Sequence, residues 1–251
     1  IEINRMEKVL KSFKEYVNES FIIKDDVLSF DYSNTESTKM GKRIVMEPYK
    51  KGGKSTGGID VYSVYNVHNQ IDVIKSIKGK GPYTISSEDY QQFLKRTDLY
   101  ISSKIIKSHK ISTIITPKSS SGILNDLIVL LKKRNPHIKF LPETLIKVID
   151  PNQIKIDYDH PKITDKISKR LEGIIRAAVK NKYFEIKKVD KRFAQFVSGY
   201  FESKDNVKFE DDDNIMILDD VVSSGSTFTE IHNIIKGYRY NNVIGTTIFK
   251  T

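Results

Sequence analysis

A chain of 251 residues with a net charge of +10 and no cysteine excludes several chemistries at once: disulfides, thiolate nucleophiles and thiolate metal sites. Its five histidines, His68, His109, His137, His160 and His232, show neither i, i+4 nor His-x-His spacing, so any metal is expected to be a hard ion held by oxygens. With 38% hydrophobic and 29% charged residues, the composition is that of a soluble globular protein. No apolar run approaches the roughly 20 residues that cross a bilayer, and no secretory pattern opens the chain. A cytoplasmic protein without a membrane partner is the expectation. The basic excess favours an anionic partner, either a small polyphosphate or nucleic acid. It is spread along the chain without a block of five or six cations, which favours a solvated basic surface over a nucleic-acid groove.

In chain order, Met6, Val9, Leu10, Phe13 and Val17 recur at helical spacing and predict an opening amphipathic helix. Val27 to Tyr32, Ile44 to Glu47 and Ile59 to Val67 are β-branched and aromatic, and predict strands or hairpins. Gly53-Lys54-Ser55 is not a Walker A motif. Pro48 stands where the first glycine is required, and a strand pattern follows where a helix is required. Lys78-Gly79-Lys80-Gly81-Pro82 is a breaker, dividing an α+β segment, residues 1–82, from an α/β domain, residues 83–251.

Beyond the breaker, Ser86 with Asp89 resembles a capping box, and the stripe Tyr90, Phe93, Leu94, Ile101 and Ile105 predicts a helix from Ser87 to Lys107. Ile111 to Thr116 predicts a buried strand, Gly122 to Arg134 a helix stopped by Asn135-Pro136, and Ile138 to Leu141 a second strand. Ile163, Ile167, Leu171, Ile174, Ile175 and Ala178 mark another amphipathic helix. The form then repeats: strand Ile215 to Leu218, a loop, a helix carrying Phe228, Ile231, Ile234 and Ile235, a stop at Gly237, and strand Val243 to Phe249. Alternating strands and helices imply an α/β fold, a mainly parallel sheet with flanking helices.

The sharpest signal runs from Ile215 to Thr229. Four apolar residues end in Asp219 and Asp220, and ligands of open α/β sheets bind at the carboxyl ends of strands. The loop Ser223-Ser224-Gly225-Ser226-Thr227 is small and hydroxyl-rich and leads into a helix whose first N–H groups lack intrahelical partners. Such a nest suits a phosphate monoester. The adjacent carboxylates suit two ribose hydroxyls. The bland reading is an ordinary strand and turn with surface aspartates. A second loop, Thr116-Pro117-Lys118-Ser119-Ser120-Ser121-Gly122, joins strand to helix at the same sheet edge with hydroxyls and one cation, as a pyrophosphate requires; a plain polar connection is its alternative. Glu210-Asp211-Asp212-Asp213 precedes its strand, falls at the opposite sheet end and reads as a solvated loop.

The Ile215 to Thr229 stretch closely resembles the motif by which type I phosphoribosyltransferases bind phosphoribosyl pyrophosphate (PRPP): four hydrophobic residues, two acids, two hydrophobic residues and a Thr/Ser-Gly-x-Thr loop. The resemblance implies a type I phosphoribosyltransferase-like core, with Asp219 and Asp220 as the catalytic pair that holds the ribose hydroxyls. It places Ser223, Ser224, Gly225, Ser226 and Thr227 on the 5-phosphate, and Lys118, Ser119 and Ser120 on the leaving pyrophosphate. It further implies Mg²⁺ and a small nitrogenous acceptor; the sequence leaves the oligomeric state open, a homodimer included. Ser223 stands where purine-salvage members and PRPP synthetases usually carry Asp, which weighs against a purine acceptor and against a synthetase. The family's mobile lid corresponds to Asp150 to Tyr200, rich in cations such as Lys187, Lys188, Lys191 and Arg192. Because the chain stops just after Val243 to Phe249, the hood that selects the acceptor is expected from the N-terminal segment. Two rivals stand beside transfer: a PRPP-sensing regulator or nucleic-acid-associated protein without turnover, and a synthetase of PRPP-like diphosphates.

Overall fold

The computed structural model describes residues 21–30, 44–46, 59–67, 71–117, 122–147, 151–160, 162–181, 184, 189–190, 193–203, 207–222 and 225–251. The expected opening helix lies outside them, as do Gly53, Lys54 and Ser55. Strands β1 (Phe21–Lys24) and β2 (Val27–Phe30) form a hairpin whose turn residues, Asp25 and Asp26, both have positive φ. Aspartate tolerates this left-handed conformation better than most residues. Strands β3 (Ile44–Met46) and β4 (Ile59–Asn66) follow, then a short helix α1 (Ile71–Ile77), β5 (Thr84–Ile85) and α2 (Ser87–Tyr100). The Ser86 cap is present: Ser86 Oγ accepts from Asp89 N and donates to Asp89 Oδ2. Helix α2 runs on through a π-helical stretch, Ile101–Ile106, to Lys107–His109.

The remaining elements are β6 (Thr113–Pro117), α3 (Gly122–Arg134), β7 (Lys139–Lys147), β8 (Lys155–Ile156), α4 (Asp165–Asn181), β9 (Val197–Ser198), β10 (Phe201–Ser203), β11 (Asn214–Val222), α5 (Ser226–Ile235) and β12 (Asn242–Lys250). Seven strands form the main sheet in the order β10-β7-β6-β11-β12-β4-β3. The five inner strands are parallel, and β10 and β3 run antiparallel at the edges. The mainly parallel sheet with flanking helices is therefore present. The sheet crosses the Lys78 to Pro82 breaker, since β4, ahead of it in the chain, pairs in parallel with β12.

Alternation along the strands divides the interior between two faces. Ile114, Met216 and Leu218 join one core with Val73, Ile74 and Ile77 of α1, Phe93 and Leu94 of α2, and Leu124, Leu127 and Leu131 of α3. Ile115, Ile215 and Ile217 join the other with Leu171 and Ala178 of α4 and Phe228, Ile231 and Ile235 of α5. The first core continues into the small sheet β1-β2-β5 through an aromatic stack: Phe93 lies against Phe30 at 5.2 Å, Tyr65 at 5.2 Å and Phe249 at 5.8 Å between ring centroids. The N-terminal hairpin is thus fastened to the carboxyl ends of β4 and β12. None of the described helices is long and apolar enough to cross a membrane.

Candidate functional site

Strand order locates a binding crevice before any side chain is considered. From β6 the chain passes through α3 outward to β7, and from β11 through α5 outward to β12 on the opposite side. The β6/β11 boundary is therefore a topological switch point, where neighbouring connections leave in opposite directions and open a crevice at the carboxyl ends. Pairing follows suit. β11 is in register with β6 only from Ile215 to Ile217, while it continues beside β12 to Val222.

Asp219 and Asp220 occur just past this parting of the strands. They lie within β11 rather than beyond its end, and each is only 9% exposed. Asp220 N donates to Asp219 Oδ1 at 2.8 Å, and Asp220 Oδ2 receives the Lys78 ammonium at 2.7 Å. In the next two strands Thr247 lies opposite Asp219, and Ser63 opposite Thr247. Both are fully buried, so a polar row extends across the sheet from the carboxylates.

Gly225 follows at φ 75°, ψ 3°, as the N-cap of α5. A left-handed cap is inexpensive for glycine alone, and with no side chain it leaves the first turn of the helix uncapped. Ser226 and Thr227 open α5. The helix is seated by Phe228, fully buried, against Gly245 of β12. A β-carbon on Gly245 would come within 2.7 Å of the Phe228 ring, so the bare glycine sets how closely α5 approaches the sheet. On the same helix, buried Glu230 accepts from Gly199 N at 2.5 Å. Burial pushes its carboxyl up, opposed by the Gly199 and Tyr200 backbone N–H groups.

The structure thus brings Asp219, Asp220, Gly225, Ser226 and Thr227 together around one strand-to-helix turn. Ser223 and Ser224 lie outside the described residues, as do Lys118, Ser119 and Ser120, although their loop is bounded by Pro117 and Gly122 at the same sheet edge. Of the stretch expected to supply a lid, α4 is packed into the second core through Leu171 and Ala178. Lys187, Lys188, Lys191 and Arg192 lie outside the described residues. At the other sheet end, Glu210, Asp211 and Asp212 are exposed as expected, but Asp213 is buried. Its Oδ1 accepts from Ser112 Oγ and Thr113 Oγ1, and its Oδ2 from Glu210 N, so it fastens the start of β6 to that of β11.

Lys78 is the site residue that the sequence reading missed. Its signal was present, because Val73, Ile74 and Ile77 have helical spacing and Lys78-Gly79 follows as a C-terminal cap would.

No family profile matches the chain, and no curated protein matches it. Among solved structures, an adenine phosphoribosyltransferase is similar at 12% identity and a TM-score of 0.36, covering 66% of this chain and 72% of its own. The adenine phosphoribosyltransferase of Leishmania tarentolae is similar at 8% identity and a TM-score of 0.37, covering 92% and 94%. Strand order and pairing make this an α/β protein with a mainly parallel sheet and a topological switch point between β6 and β11.

Proposed function

We propose that this chain is a phosphoribosyltransferase, moving ribose 5-phosphate from PRPP to a nitrogenous acceptor with release of pyrophosphate. The observation that carries the reading is the placement of Asp219 and Asp220: adjacent, buried, at the carboxyl side of the switch-point strand, and one glycine turn ahead of a helix N-terminus. Carboxylates beside a phosphate nest match a ribose 5-phosphate, with the diol on the acids and the phosphate on residues 223–227.

In the proposed reaction the C1–oxygen bond breaks with its electron pair leaving on the diphosphate, while an acceptor nitrogen attacks the opposite face and inverts C1. Asp219 and Asp220 orient the ring and stabilise the positive charge that develops on it, acting by position and field rather than as proton carriers. Lys118, Ser119 and Ser120 are assigned to the departing diphosphate. Mg²⁺ is assigned here as an ion carried chiefly by substrate oxygens; bound there, it would neutralise the leaving charge. The N-terminal segment is proposed as the hood, and Lys78 already reaches the crevice from it.

The test incubates the protein with PRPP and Mg²⁺ against pooled nucleobases and small amides, reading pyrophosphate and new nucleotides by mass spectrometry. A ligand at 100 times its dissociation constant adds about 2.7 kcal/mol to stability, so a raised thermal midpoint accompanies binding. Absence of both a thermal shift at millimolar PRPP and any released pyrophosphate would overturn the reading. Binding without turnover on any acceptor would instead identify a PRPP-sensing regulator.

A further inference from the structure

The crevice holds a cation from an unexpected place. Helix α1 ends in a Schellman turn: Gly79, at φ 68°, donates its N–H to Ser76 O at 2.9 Å, and Lys80 N donates to Lys75 O at 2.8 Å. A non-glycine residue adopts this left-handed position only at a cost, so Lys-Gly is the sequence that both ends the helix and holds Lys78 as its cap. Because Val73, Ile74 and Ile77 anchor α1 in the first core, the Lys78 backbone is fixed. Only its four-carbon stem is free to move.

That stem lies at a boundary. On one side its ammonium is 2.7 Å from Asp220 Oδ2, with side-chain exposures of 22% and 12%. On the other, Lys78 lines an open cleft of about 400 Å³ whose wall combines Ser86, Ser87 and Gly122 with the apolar Ile85 and Ile123. Gly122 immediately follows residues 118–121, the loop assigned to the leaving group. One rotatable ammonium therefore has a carboxylate within reach and, beside it, a cleft that carries the Ser86 and Ser87 hydroxyls on a partly apolar wall, so it can exchange partners by turning its stem.

We infer that Lys78 is a substrate-binding residue that exchanges partners: in the empty site it neutralises Asp220, and with PRPP bound it turns into the adjoining cleft and binds the diphosphate on C1. The inference rests on the proposed transferase reading. Its logic is electrostatic. Two buried carboxylates would repel a polyanionic substrate, and a lysine on one of them removes part of that repulsion before the ribose arrives. When the diol donates to Asp220, it competes with the ammonium for the carboxylate oxygens at the moment when the diphosphate offers a more highly charged partner.

The experiment compares wild type, Lys78→Gln and Lys78→Arg by calorimetry with three probes: pyrophosphate with Mg²⁺, PRPP with Mg²⁺, and ribose 5-phosphate. Losing a charged hydrogen bond should weaken pyrophosphate and PRPP binding by roughly 10- to 100-fold in Lys78→Gln. Ribose 5-phosphate affinity should fall less, because it loses only the partial neutralisation of the carboxylates and no direct contact. Lys78→Arg should restore part of the pyrophosphate affinity. Unchanged pyrophosphate binding in Lys78→Gln, or equal losses for pyrophosphate and ribose 5-phosphate, would overturn the exchange while leaving the transferase reading intact. A wild-type protein that binds none of the probes would overturn both. Thermal melts of each variant check that the fold is kept.

Discussion

Lys78, the cap residue of a short N-terminal helix, and Asp220, inside the switch-point strand, stand 142 positions apart in the chain and meet at 2.7 Å. Their pairing links the segment ahead of the breaker to the carboxylate pair, so the site is built from both sides of the boundary that the sequence suggested. It also gives Asp219 and Asp220 different surroundings, which their variants should reveal.

Asp219→Asn and Asp220→Asn keep shape and some hydrogen-bonding capacity while removing charge. If the carboxylates act on the developing cation, each variant should lower turnover by roughly 10²- to 10³-fold, with PRPP affinity falling far less. Steady-state kinetics with the identified acceptor, together with PRPP calorimetry, separates the two quantities. Full activity in both variants would remove the assignment.

Gly225→Val should act on binding. At φ 75° a side chain costs about 1–2 kcal/mol, and a β-branched one also crowds the phosphate nest. PRPP and ribose 5-phosphate affinity should both drop, together with a lower urea midpoint. Undiminished ribose 5-phosphate binding would place the phosphate elsewhere.

Phe228→Ala tests whether packing positions the nest. Removing this fully buried ring should cost about 3–5 kcal/mol. It would also loosen α5 over Gly245, so phosphate affinity should fall in the fraction that remains folded. Calorimetry well below the melting temperature reads that second effect. Loss of stability with unaltered affinity would mean that the nest is held by other contacts.

Asp213 predicts an acid limb to stability. Burial alone would push its carboxyl up, but hydrogen bonds from Glu210 N, Ser112 and Thr113 and the Lys139 charge hold it below the ordinary value. A carboxyl lowered by folding contributes fully above its unfolded value of about 3.9, and that contribution is lost as pH falls through the folded value. Asp213→Asn should therefore cost about 1–3 kcal/mol at neutral pH and flatten the decline below about pH 4. Urea unfolding of both proteins across that range is the measurement. Parallel curves would show that Asp213 is not its source.

By itself the sequence determined the α/β alternation, the helix Gly122–Arg134, the cap at Ser86 and the acidic pair with its glycine turn. Each of these is written in local periodicity or in a few adjacent residues, where backbone preference and side-chain chemistry act over one or two turns. The tertiary structure alone decided that β4 joins the main sheet beside β12, that β6 and β11 part where the carboxylates begin, and that Asp213 is buried. It also decided that Lys78 reaches Asp220. These depend on pairings between residues more than a hundred positions apart, set by which faces can be buried together. No local pattern encodes such a choice, because the same alternating strand can satisfy its hydrogen bonds beside several partners, and only the joint packing of both cores selects one.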